Sequence, residues 1–595
     1  MNKKKRIISS GIVAVLTLCM VISLVACSNK TTSDTDSGTN ETEVTESMAG
    51  FLDSDGYTDY ENTTYTSIKL SGSSITIDGS GVTYSGTDIL INQPGTYVFS
   101  GTLDQGSITV EATKTSEVRI VLDSASITNA KGPAILVKTA KQVMISLVPD
   151  TTNSLSDGSN YTLTGEDDPN AVVYSKSDLI FNGSGTLNIS ANYNDAIHGT
   201  DQLRIIEGTY VITSVDDGII GKDVLAIKNG TFTINAGGDG MKSTNEEDTT
   251  LGYIYLNDGT YTINSTDDGI SSVQGLTINN GTYVITTSTS GDNAGKGIKA
   301  NGIIEINDGS FTITAADDAI NSNYDTVING GTFKISSGDD GIHSDHTTTI
   351  NDGTIRINTS VEGIEGAIVK IEGGTIQLWA SDDGINGAGG DETTTTEVQS
   401  ILDQYSISSG GNSQGMMASD STGYIFIDGG DIYINANGDG LDANNTIIQT
   451  AGKIIVEGPT NSGNGALDYG DAYIMTGGTV LAAGSSGMAS TISSSSTCYC
   501  LSVTYSQTQA AGTVYKLVDP DGNVLIEYTS TKQFQNVVYA SSDLTSGVEY
   551  TLMNEDGVMM TGTLSQIVTS ISDTGGTVTN NNGGGMGGGM PNGNR

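Results

Sequence analysis

The chain has 595 residues, with 25 Lys and Arg against 69 Asp and Glu, and its formal net charge at pH 7 is −44. This acidity argues against nucleic acid as a partner, because no basic surface can displace the counterions of phosphates. Three His and four Cys exclude chemistry that needs many of either residue, such as zinc catalysis. The charge favours cations, cationic surfaces or uncharged polymers as ligands.

The N-terminus has the features of a bacterial secretion signal. Three Lys and Arg6 precede an apolar run from Ile7 to Ala26, which is typical of a signal peptide over residues 1–26. The run ends in Leu24-Val25-Ala26-Cys27, which resembles a lipobox, so Cys27 is the predicted lipidation site. The alternative is an ordinary signal peptide that contains a Cys. No 20-residue apolar span follows, which predicts an extracellular protein anchored to the cell membrane by its N-terminal lipid only.

The remaining chain divides by composition. Residues 27–62 are rich in Ser, Thr, Asp, Glu and Asn and predict a flexible tether. Residues 571–595 form a Gly/Asn/Met tail that is predicted to be disordered. Between these ends we expect N-terminal β-helix coils and a cap over 63–184, a repeat β-helix over 185–490 with an insertion near 388–423, and a β-sandwich-like module over 491–570.

A repeat of about 22 residues occupies the middle of the chain. Each copy begins with a Gly-Thr step, as at Gly208 and Gly230, and carries an acid before a later Gly. From Asp195 to Asp383 the acids are spaced by 22, 22, 29, 50, 22, 22 and 21 residues, and the step of 50 contains a diverged copy centred on Lys296. This period fits three short strands joined by turns, which make one coil of a parallel β-helix.

Residues alternate within each copy. After the Gly-Thr step, inward apolar residues such as Tyr210 and Ile212 are separated by polar ones, which is the period of a strand with one buried face. Stacked copies therefore predict internal ladders of aromatic and aliphatic side chains, and the column that begins at Ile219 predicts a third. The predicted fold class is all-β: a right-handed parallel β-helix, a solenoid of about 22 residues per coil, with a small C-terminal β module. Cys498 and Cys500 are expected to be two thiols, with a strained local bridge as the alternative.

The acids form a column in the predicted stack. Equivalent residues of neighbouring coils lie about 4.8 Å apart, where two full charges repel by about 3.5 kcal/mol at an effective dielectric of 20. Ca²⁺ relieves this repulsion, because it takes about six to eight oxygen ligands in irregular geometry. The alternative is that each Asp accepts hydrogen bonds from backbone amides of the turns. The predicted calcium ligands are Asp195, Asp216, Asp217, Asp239, Asp267, Asp268, Asp317, Asp318, Asp339, Asp340, Asp382 and Asp383.

The next outward column is mixed and mostly polar. Its Lys242 and Lys299 are candidates for binding sugar, or for the base of a lyase that removes a proton alpha to a uronate carboxylate. Trp379 occupies an outward strand position, where it either stacks on a sugar face or lies flat along the coil. We interpret His343 and His346 as part of a solvated turn, with metal binding as the alternative.

Several segments together resemble a known family. These segments are Ile89–Gly101, Val118–Ile127, Ala171–Leu179 and Asn194–His198, and the similarity extends over about residues 67–565. They resemble the bacterial carbohydrate-binding β-helix family, whose founding member came from a cellulolytic clostridium. The resemblance implies a fold like that of pectate lyases, calcium on the Asp-Asp-Gly acids, surface exposure, and affinity for cellulose- or pectin-like polysaccharide without established lyase activity. The copies at Glu362 and Lys296 depart from the acid pattern, which puts a site there in doubt.

The sequence thus favours a monomeric surface lipoprotein that binds polysaccharide, uses calcium and is not an enzyme. Two alternatives stay open: a calcium-dependent polysaccharide lyase, and a surface adhesin or structural spacer.

Overall fold

The computed structural model describes residues 44–161, 168–290, 293–388, 396–404, 422–554 and 557–574. The predicted signal peptide, the lipidation site Cys27 and most of the predicted tail lie outside the described residues. Within these ranges, no helix combines the length and the apolar character that crossing a bilayer requires.

Each repeat contributes one strand to each of three ladders of parallel strands, which we call sheets 1, 2 and 3. In one coil, Ile219–Gly221 belongs to sheet 1, Val224–Ile227 to sheet 2 and Thr231–Ala236 to sheet 3. Each ladder pairs equivalent residues of successive coils. The predicted all-β parallel β-helix is therefore confirmed, while the hand of the coil stays a prediction.

The strands of sheet 1 are short, and all but the first are parallel to their neighbours. They are Val82–Ser85, Asp88–Ile91, Ile108–Glu111, Ile135–Thr139, Ala171–Ser175, Asp195–Gly199, Ile219–Gly221, Met241–Ser243, Ile270–Ser272, Ile298–Ala300, Ile320–Ser322, Ile342–Ser344, Ile364–Gly366, Ile385–Gly387, Leu441–Ala443 and Leu467–Tyr469. The strand at Ile298 confirms the diverged copy that was predicted at Lys296.

Sheets 2 and 3 follow in every coil. The strands of sheet 2 are Gln142–Leu147, Asp178–Asn182, Gln202–Ile205, Val224–Ile227, Tyr253–Leu256, Leu276–Ile278, Ile304–Ile306, Asp325–Ile328, Thr347–Ile350, Ile368–Ile371, Tyr424–Ile427, Thr446–Gln449 and Ala472–Met475. Those of sheet 3 are Thr152–Asp157, Thr186–Ser190, Thr209–Ser214, Thr231–Ala236, Thr260–Ser265, Thr282–Thr287, Ser310–Thr314, Thr332–Ser336, Thr354–Thr359, Thr375–Ala380, Asp431–Ala436, Lys453–Glu457 and Thr479–Gly484.

The first coils are built from longer strands that run through both sheets. Glu117–Asn129 pairs with sheet 2 through its first half and with sheet 3 through its second half. It turns the corner at Ser124, whose φ of 57° lies in the left-handed region. Gly95–Leu103, Tyr65–Gly72 and Ser74–Asp78 stack on it in turn, the last antiparallel.

Aromatic side chains stack inside the solenoid as predicted. Their ring centroids are 4.6–5.0 Å apart and their planes differ by 3–7°. The rings are at most 1% exposed, so each contributes buried apolar area and ring stacking. The ladder consists of Tyr210, Phe232, Tyr261, Tyr283, Phe311 and Phe333.

A β module covers the C-terminal end of the solenoid, as predicted. Phe534–Ser541 pairs antiparallel with the last strand of sheet 3 and with Tyr499–Gln509, which pairs with Val568–Ser572. Covering this edge removes unpaired backbone groups. Cys498 and Cys500 are free and buried, in agreement with the expected thiols. The other strands form a small antiparallel sheet: Val514–Val518, Val524–Thr529, Glu549–Asn554 and Gly557–Thr563.

Two excursions leave the solenoid between coils. Thr289–Ser290 and Asn293–Ala294 form a short hairpin. The helix Thr396–Gln404 lies in the predicted insertion, and its Val398 and Leu402 are buried against apolar residues on the outer face of sheet 2.

Residues 44–62 correct the prediction of a flexible tether over 27–62. They contain the helix Glu46–Ala49 and the 3₁₀ turns Asp53–Asp55 and Tyr60–Asn62. We call these residues the strap, because they lie along the outer face of sheet 2. At one end, the Thr277 hydroxyl donates to the carbonyl of Val44, and at the other end the Tyr60 hydroxyl donates to the carboxylate of Asp123. The polar composition concealed a few apolar anchors, Val44 and Ala49 among them, that pack on Val224, Ala226, Tyr253 and Tyr255.

A buried ion pair holds the middle of the strap. Arg204 Nε donates to Asp55 Oδ2 at 3.0 Å, and the two side chains are 4% and 0% exposed. Removing one partner leaves the other charge buried and unpaired, which costs about 3–5 kcal/mol. We therefore expect Arg204→Met to free the strap, seen as rapid proteolysis and hydrogen exchange over residues 44–62. The exposed pair Lys138–Glu111 provides the control, because Lys138→Met is expected to leave both rates unchanged. Unchanged protection in Arg204→Met would contradict this role of the pair.

Candidate functional site

The acid column lies in the turn between sheet 3 and sheet 1. In each coil the second acid points one oxygen along the stack, where it accepts the backbone N–H of the equivalent residue in the next coil. Asp217 Oδ1 accepts from the Asp239 amide at 2.7 Å, and Asp239 Oδ1 accepts from the Asp268 amide at 2.9 Å. The same contact recurs at Asp195, Asp268, Asp318, Asp340, Asp383 and Asp439. The alternative in which each Asp accepts a hydrogen bond from a backbone amide therefore holds for the Oδ1 atom of these acids. Their Oδ2 atoms are available to other partners.

The first acid of each pair lies further out. Asp216, Asp267 and Asp317 are partly buried, whereas Asp339 and Asp382 are exposed. Carboxylate oxygens from neighbouring turns come within 4.8 Å of one another in Asp195–Asp216–Asp217, Asp239–Asp267–Asp268 and Asp317–Asp318–Asp339. These three groups contain nine of the twelve predicted ligands, and two further groups contain Asp340 and Asp383. Eleven predicted ligands therefore belong to such groups, and Asp382 belongs to none of them.

Cations of the chain itself lie against most of these groups. Lys242 Nζ is 2.6 Å from Asp239 Oδ2 and 3.5 Å from Asp217 Oδ2. Lys299 Nζ is 3.3 Å from Asp268 Oδ2, and Lys296 Nζ is 2.5 Å from Asp318 Oδ2. The imidazole of His198, an uncharged or charged donor, also contacts the column, with Nδ1 3.1 Å from Asp195 Oδ2. The sequence predicted Lys242 and Lys299 as sugar ligands, but their ammonium groups are engaged by the column.

This pairing also affects the proton chemistry of Lys242. Burial on its own lowers the pKa of this lysine, but the carboxylates of Asp239 and Asp217 outweigh burial and hold the pKa above its ordinary value. Lys242 therefore stays protonated at neutral pH and is a poor general base.

His343 lies among carboxylates of three turns. Its Nδ1 is 2.9 Å from Glu365 Oε2 and 3.1 Å from Asp340 Oδ2, and its Nε2 is 3.1 Å from Asp345 Oδ1. Burial lowers the pKa of His343, but hydrogen bonds to Asp340 and Glu365 outweigh it and raise the pKa to about 11. His346 instead contacts Asp325 and stacks on Tyr324.

One acidic group has no cation of the chain against it. Asp383, Asp439 and Asp442 bring carboxylate oxygens within 4.8 Å of one another, and no ion pair involves them in the part of the chain that the structure describes. Burial, together with the neighbouring carboxylates, raises the pKa of Asp383 to about 6 and those of Asp439 and Asp442 to about 7. The predicted ligand set contained only Asp383 of this group; Asp439 was recognised as a single acid of the column, and Asp442 belonged to the next outward column.

A buried amide oxygen lies in the same column. Asn386 is in register with Glu365 on one side and Asp442 on the other, and its Nδ2 is 3.5 Å from Glu365 Oε1. Its Oδ1 is buried and accepts no hydrogen bond within the described residues. Three carboxylates without a cation of the chain, and an unpartnered amide oxygen on the residue in register with Asp442, are oxygen donors of the kind that Ca²⁺ prefers. The residues of this group therefore fit a calcium ion.

Trp379 lies on a different face from the acids, on the outer side of sheet 3. The exposed Arg356 places its guanidinium carbon 4.3 Å from the centroid of the Trp379 ring and donates to Gln377 Oε1 at 2.7 Å. Tyr433 of the next coil lies 5.5 Å from the ring at 53°. We call Arg356, Gln377, Trp379 and Tyr433 the Trp379 patch. It does not include Lys242 or Lys299, which lie on sheet 1.

A shallow groove adjoins the strands of this patch. It has a volume of about 570 Å³ and runs along the corner between sheets 2 and 3, where Asn329, Asp352, Thr354 and Thr375 line it. The amides of the corner form their own ladder, since Asn329 Nδ2 donates to Asn307 Oδ1 at 2.7 Å and Asn351 Nδ2 donates to Asn329 Oδ1 at 2.6 Å. The groove therefore presents carboxylate, amide and hydroxyl groups along the solenoid axis.

Known proteins are similar to this chain over parts of its length. A protein of Acetivibrio thermocellus described as a carbohydrate-binding domain-containing protein is 37% identical over 127 residues, which is 21% of this chain and 44% of the relative. The chain thus matches less than half of that relative's length. A solved structure of a polysaccharide lyase-like protein from C. thermocellum, a gadolinium derivative, is 33% identical, covers 41% of this chain and 97% of its own, and has a TM-score of 0.39.

A family model gives the broadest match. The model of the carbohydrate-binding domain-containing proteins matches residues 85–341 and 339–499, which include the acid column, the Trp379 patch and most of the solenoid. The chain belongs to the family of carbohydrate-binding domain-containing proteins.

Proposed function

We propose that this chain is a cell-surface lipoprotein that binds a cellulose- or pectin-like polysaccharide and holds Ca²⁺ on its acid column. Membership of a carbohydrate-binding family supports polysaccharide as the partner. The observation that carries the proposal is the Trp379 patch, in which the single Trp of the chain lies beside an arginine and a tyrosine on the outer face of a sheet.

The patch has the two properties that sugar binding needs. Aromatic rings pack against the apolar C–H faces of pyranoses, and Trp379 and Tyr433 are both partly exposed. The Arg356 guanidinium and the Gln377 amide offer donors for hydroxyl or carboxylate oxygens. Because coils repeat about every 4.8 Å, a glycan chain that lies along the axis meets sheet 3 and the adjoining groove over several coils.

Binding to insoluble cellulose and to polygalacturonate tests this site. We expect Trp379→Ala to weaken retention about tenfold, because one stacking contact of about 1.4 kcal/mol is lost. Arg356→Ala is expected to weaken it as well, and more for polygalacturonate than for cellulose. Tyr84→Ala is the control, since Tyr84 is an exposed aromatic on sheet 1. Equal retention of Trp379→Ala and the unmodified protein would overturn this assignment.

We place the calcium ion at Asp383, Asp439 and Asp442 rather than at all twelve predicted acids. Three other groups have Lys242, Lys296 or Lys299 against their carboxylates, and these cations reduce the repulsion that a metal would relieve. The group of Asp340 and Glu365 includes the imidazole of His343, which Ca²⁺ does not favour as a ligand. Asn386 supplies an uncharged oxygen beside the remaining group. Carboxylates of Asp383, Asp439 and Asp442 with this amide would hold the ion and fix the two turns that carry them.

The lyase alternative gains no support from Lys242, one of the two predicted candidates for the base. Lys242 would have to lose the proton that Asp239 and Asp217 stabilise on it before it could take one from a sugar. A function in binding is therefore the better conclusion.

A further inference from the structure

One cluster on sheet 1 differs from the others in its donor atoms. His343, Asp340 and Glu365 come from consecutive turns and strands, and each offers one ligand atom that lies within 4.8 Å of the other two. His343 Nδ1 is 2.9 Å from Glu365 Oε2 and 3.1 Å from Asp340 Oδ2. Two ligand atoms of one ion are about 3.0–3.4 Å apart when their bonds to the metal are about 2.0–2.1 Å. The spacings around Nδ1 are close to that range.

Each of the three side chains is held through its other polar atom. Asp340 Oδ1 accepts the amide N–H of Glu362 at 3.1 Å, so Oδ2 faces His343. His343 Nε2 lies 3.1 Å from Asp345 Oδ1, and Glu365 Oε1 lies 3.5 Å from Asn386 Nδ2. Outer partners of this kind orient metal ligands and fix the tautomer of a ligating histidine.

The ring of His343 cannot satisfy its neighbours as a neutral group. Ionised carboxylates accept hydrogen bonds and do not donate them, and carboxylates face both ring nitrogens. The ring therefore carries two protons, or it carries one proton on Nε2 and a cation lies at Nδ1. Asn321, in register beside His343 and 6% exposed, has a buried Oδ1 that accepts no hydrogen bond within the described residues. Asn321 Nδ2 donates to Asp318 Oδ2 at 2.8 Å, so Oδ1 is the atom of this amide that is left without a partner in the coil beside His343.

We propose that His343, Asp340 and Glu365 form a binding site for a first-row divalent transition metal such as Zn²⁺ or Mn²⁺. One imidazole with carboxylates selects these ions over Ca²⁺, which prefers oxygen ligands alone. Among the described residues, the other clusters offer only carboxylates; His198 lies outside them and contacts one carboxylate, that of Asp195, and the amide oxygen of Asn170. The side chains of His343, Asp340 and Glu365 are 24%, 10% and 15% exposed, so an ion and its waters can reach the site. The site is separate from the proposed polysaccharide site, and it adjoins the proposed calcium site through Asn386, whose Nδ2 contacts Glu365.

The test measures metal bound to the full chain after chelation and dialysis against Zn²⁺ in a large excess of Ca²⁺. We expect one equivalent of Zn²⁺ to remain bound. When Co²⁺ replaces Zn²⁺, we expect a d–d absorption spectrum that indicates a nitrogen ligand on the metal. His343→Gln is expected to lose the bound ion, and Asp345→Asn to weaken its binding by about tenfold through the lost outer partner.

Two further variants decide the outcome. His198→Gln changes the matched histidine and is expected to keep the full equivalent of Zn²⁺. Glu365→Gln is expected to lose it, and this variant replaces His343→Gln if the latter does not fold by circular dichroism. Retention of Zn²⁺ by both His343→Gln and Glu365→Gln, or no retention by the unmodified chain in the presence of Ca²⁺, overturns the proposal.

Discussion

Substitution of Asp442 by Asn is expected to raise the melting temperature in chelator and to abolish the stabilisation that Ca²⁺ gives the unmodified protein. Asp442, Asp383 and Asp439 bring carboxylate oxygens within 4.8 Å of one another, and two charges at that distance repel by about 3.5 kcal/mol at an effective dielectric of 20. Removing one charge is expected to stabilise the chelated protein by about 1–3 kcal/mol. Asp442 suits this test because Asp383 and Asp439 also accept backbone amides.

With Ca²⁺ present, we expect the unmodified protein to be more stable than Asp442→Asn, the reverse of their order in chelator. A ligand present at 100 times its dissociation constant stabilises the folded state by about 2.7 kcal/mol, and only the unmodified protein retains the full set of ligands. Thermal unfolding followed by circular dichroism, with chelator and with Ca²⁺, measures both effects. Asp431→Asn on the exposed side of the same coil is the control and is expected to leave the calcium response intact. A calcium response of Asp442→Asn equal to that of the unmodified protein would contradict this site.

The pKa values give the pH dependence of the same measurement. Because the pKa of Asp442 is raised from 3.8 to about 7, the folded state binds more protons than the unfolded state between these values. The stability of the chelated protein is therefore expected to fall as pH rises from about 4 to about 7. Ca²⁺ favours the ionised carboxylates, so its stabilising effect is expected to be largest above pH 7 and small at pH 5.

Replacement of Tyr261 by Ala is expected to lower the free energy of unfolding by about 3–5 kcal/mol. The ring is 0% exposed and stacks at 5.0 Å on Phe232 and at 4.6 Å on Tyr283. The substitution opens a cavity that both neighbouring coils line, and strands held in register on three sides cannot collapse into it.

Two comparisons isolate the ring from its hydroxyl. Tyr261→Phe keeps the stack and loses the hydroxyl, which donates to the Asp258 carbonyl at 2.9 Å and contacts the Tyr283 hydroxyl; we expect this loss to cost about 1 kcal/mol. Tyr84→Ala, at a position 51% exposed, is expected to change stability by less than about 0.5 kcal/mol. Urea unfolding, with hydrogen exchange to localise the loss to the coils around Tyr261, provides the measurement. A loss below 1 kcal/mol in Tyr261→Ala would show that the ladder does not stabilise the fold.

The sequence was sufficient to predict the stack because one local pattern repeats. Positions such as Phe232, Tyr261 and Tyr283 recur at the coil length, and parallel pairing turns equal sequence positions into columns. The acids were predicted to form a column for the same reason, because they too recur at the coil length. The strap was not predicted, because apolar anchors such as Val44 and Ala49 are too few to show periodicity and their partners lie on sheet 2, far along the chain.

The candidate site was predicted less completely, for a physical reason. The calcium ligands were predicted from the repeated acids of the column. Which carboxylates lack a neutralising cation depends instead on where the lysines of the chain lie. Lys242 reaches acids of two coils, a contact that depends on side-chain direction rather than spacing. Asp383 and Asp439 are 56 residues apart and still belong to neighbouring coils, because the insertion between them leaves the solenoid and returns. Trp379 was found from its outward position, but its contact with Arg356 of the previous coil was not.

The strap also determines how mechanical load enters the molecule. Val44 lies on the flank of sheet 2 beside Thr277, several coils away from the first coil. Tension applied through the preceding residues therefore peels the helix Glu46–Ala49 from Tyr253 and Tyr255 before it reaches the buried pair of Asp55 and Arg204. The opening coils carry none of this force until the strap has come away. Under tension applied at Val44, we therefore expect the strap to detach before the opening coils are loaded.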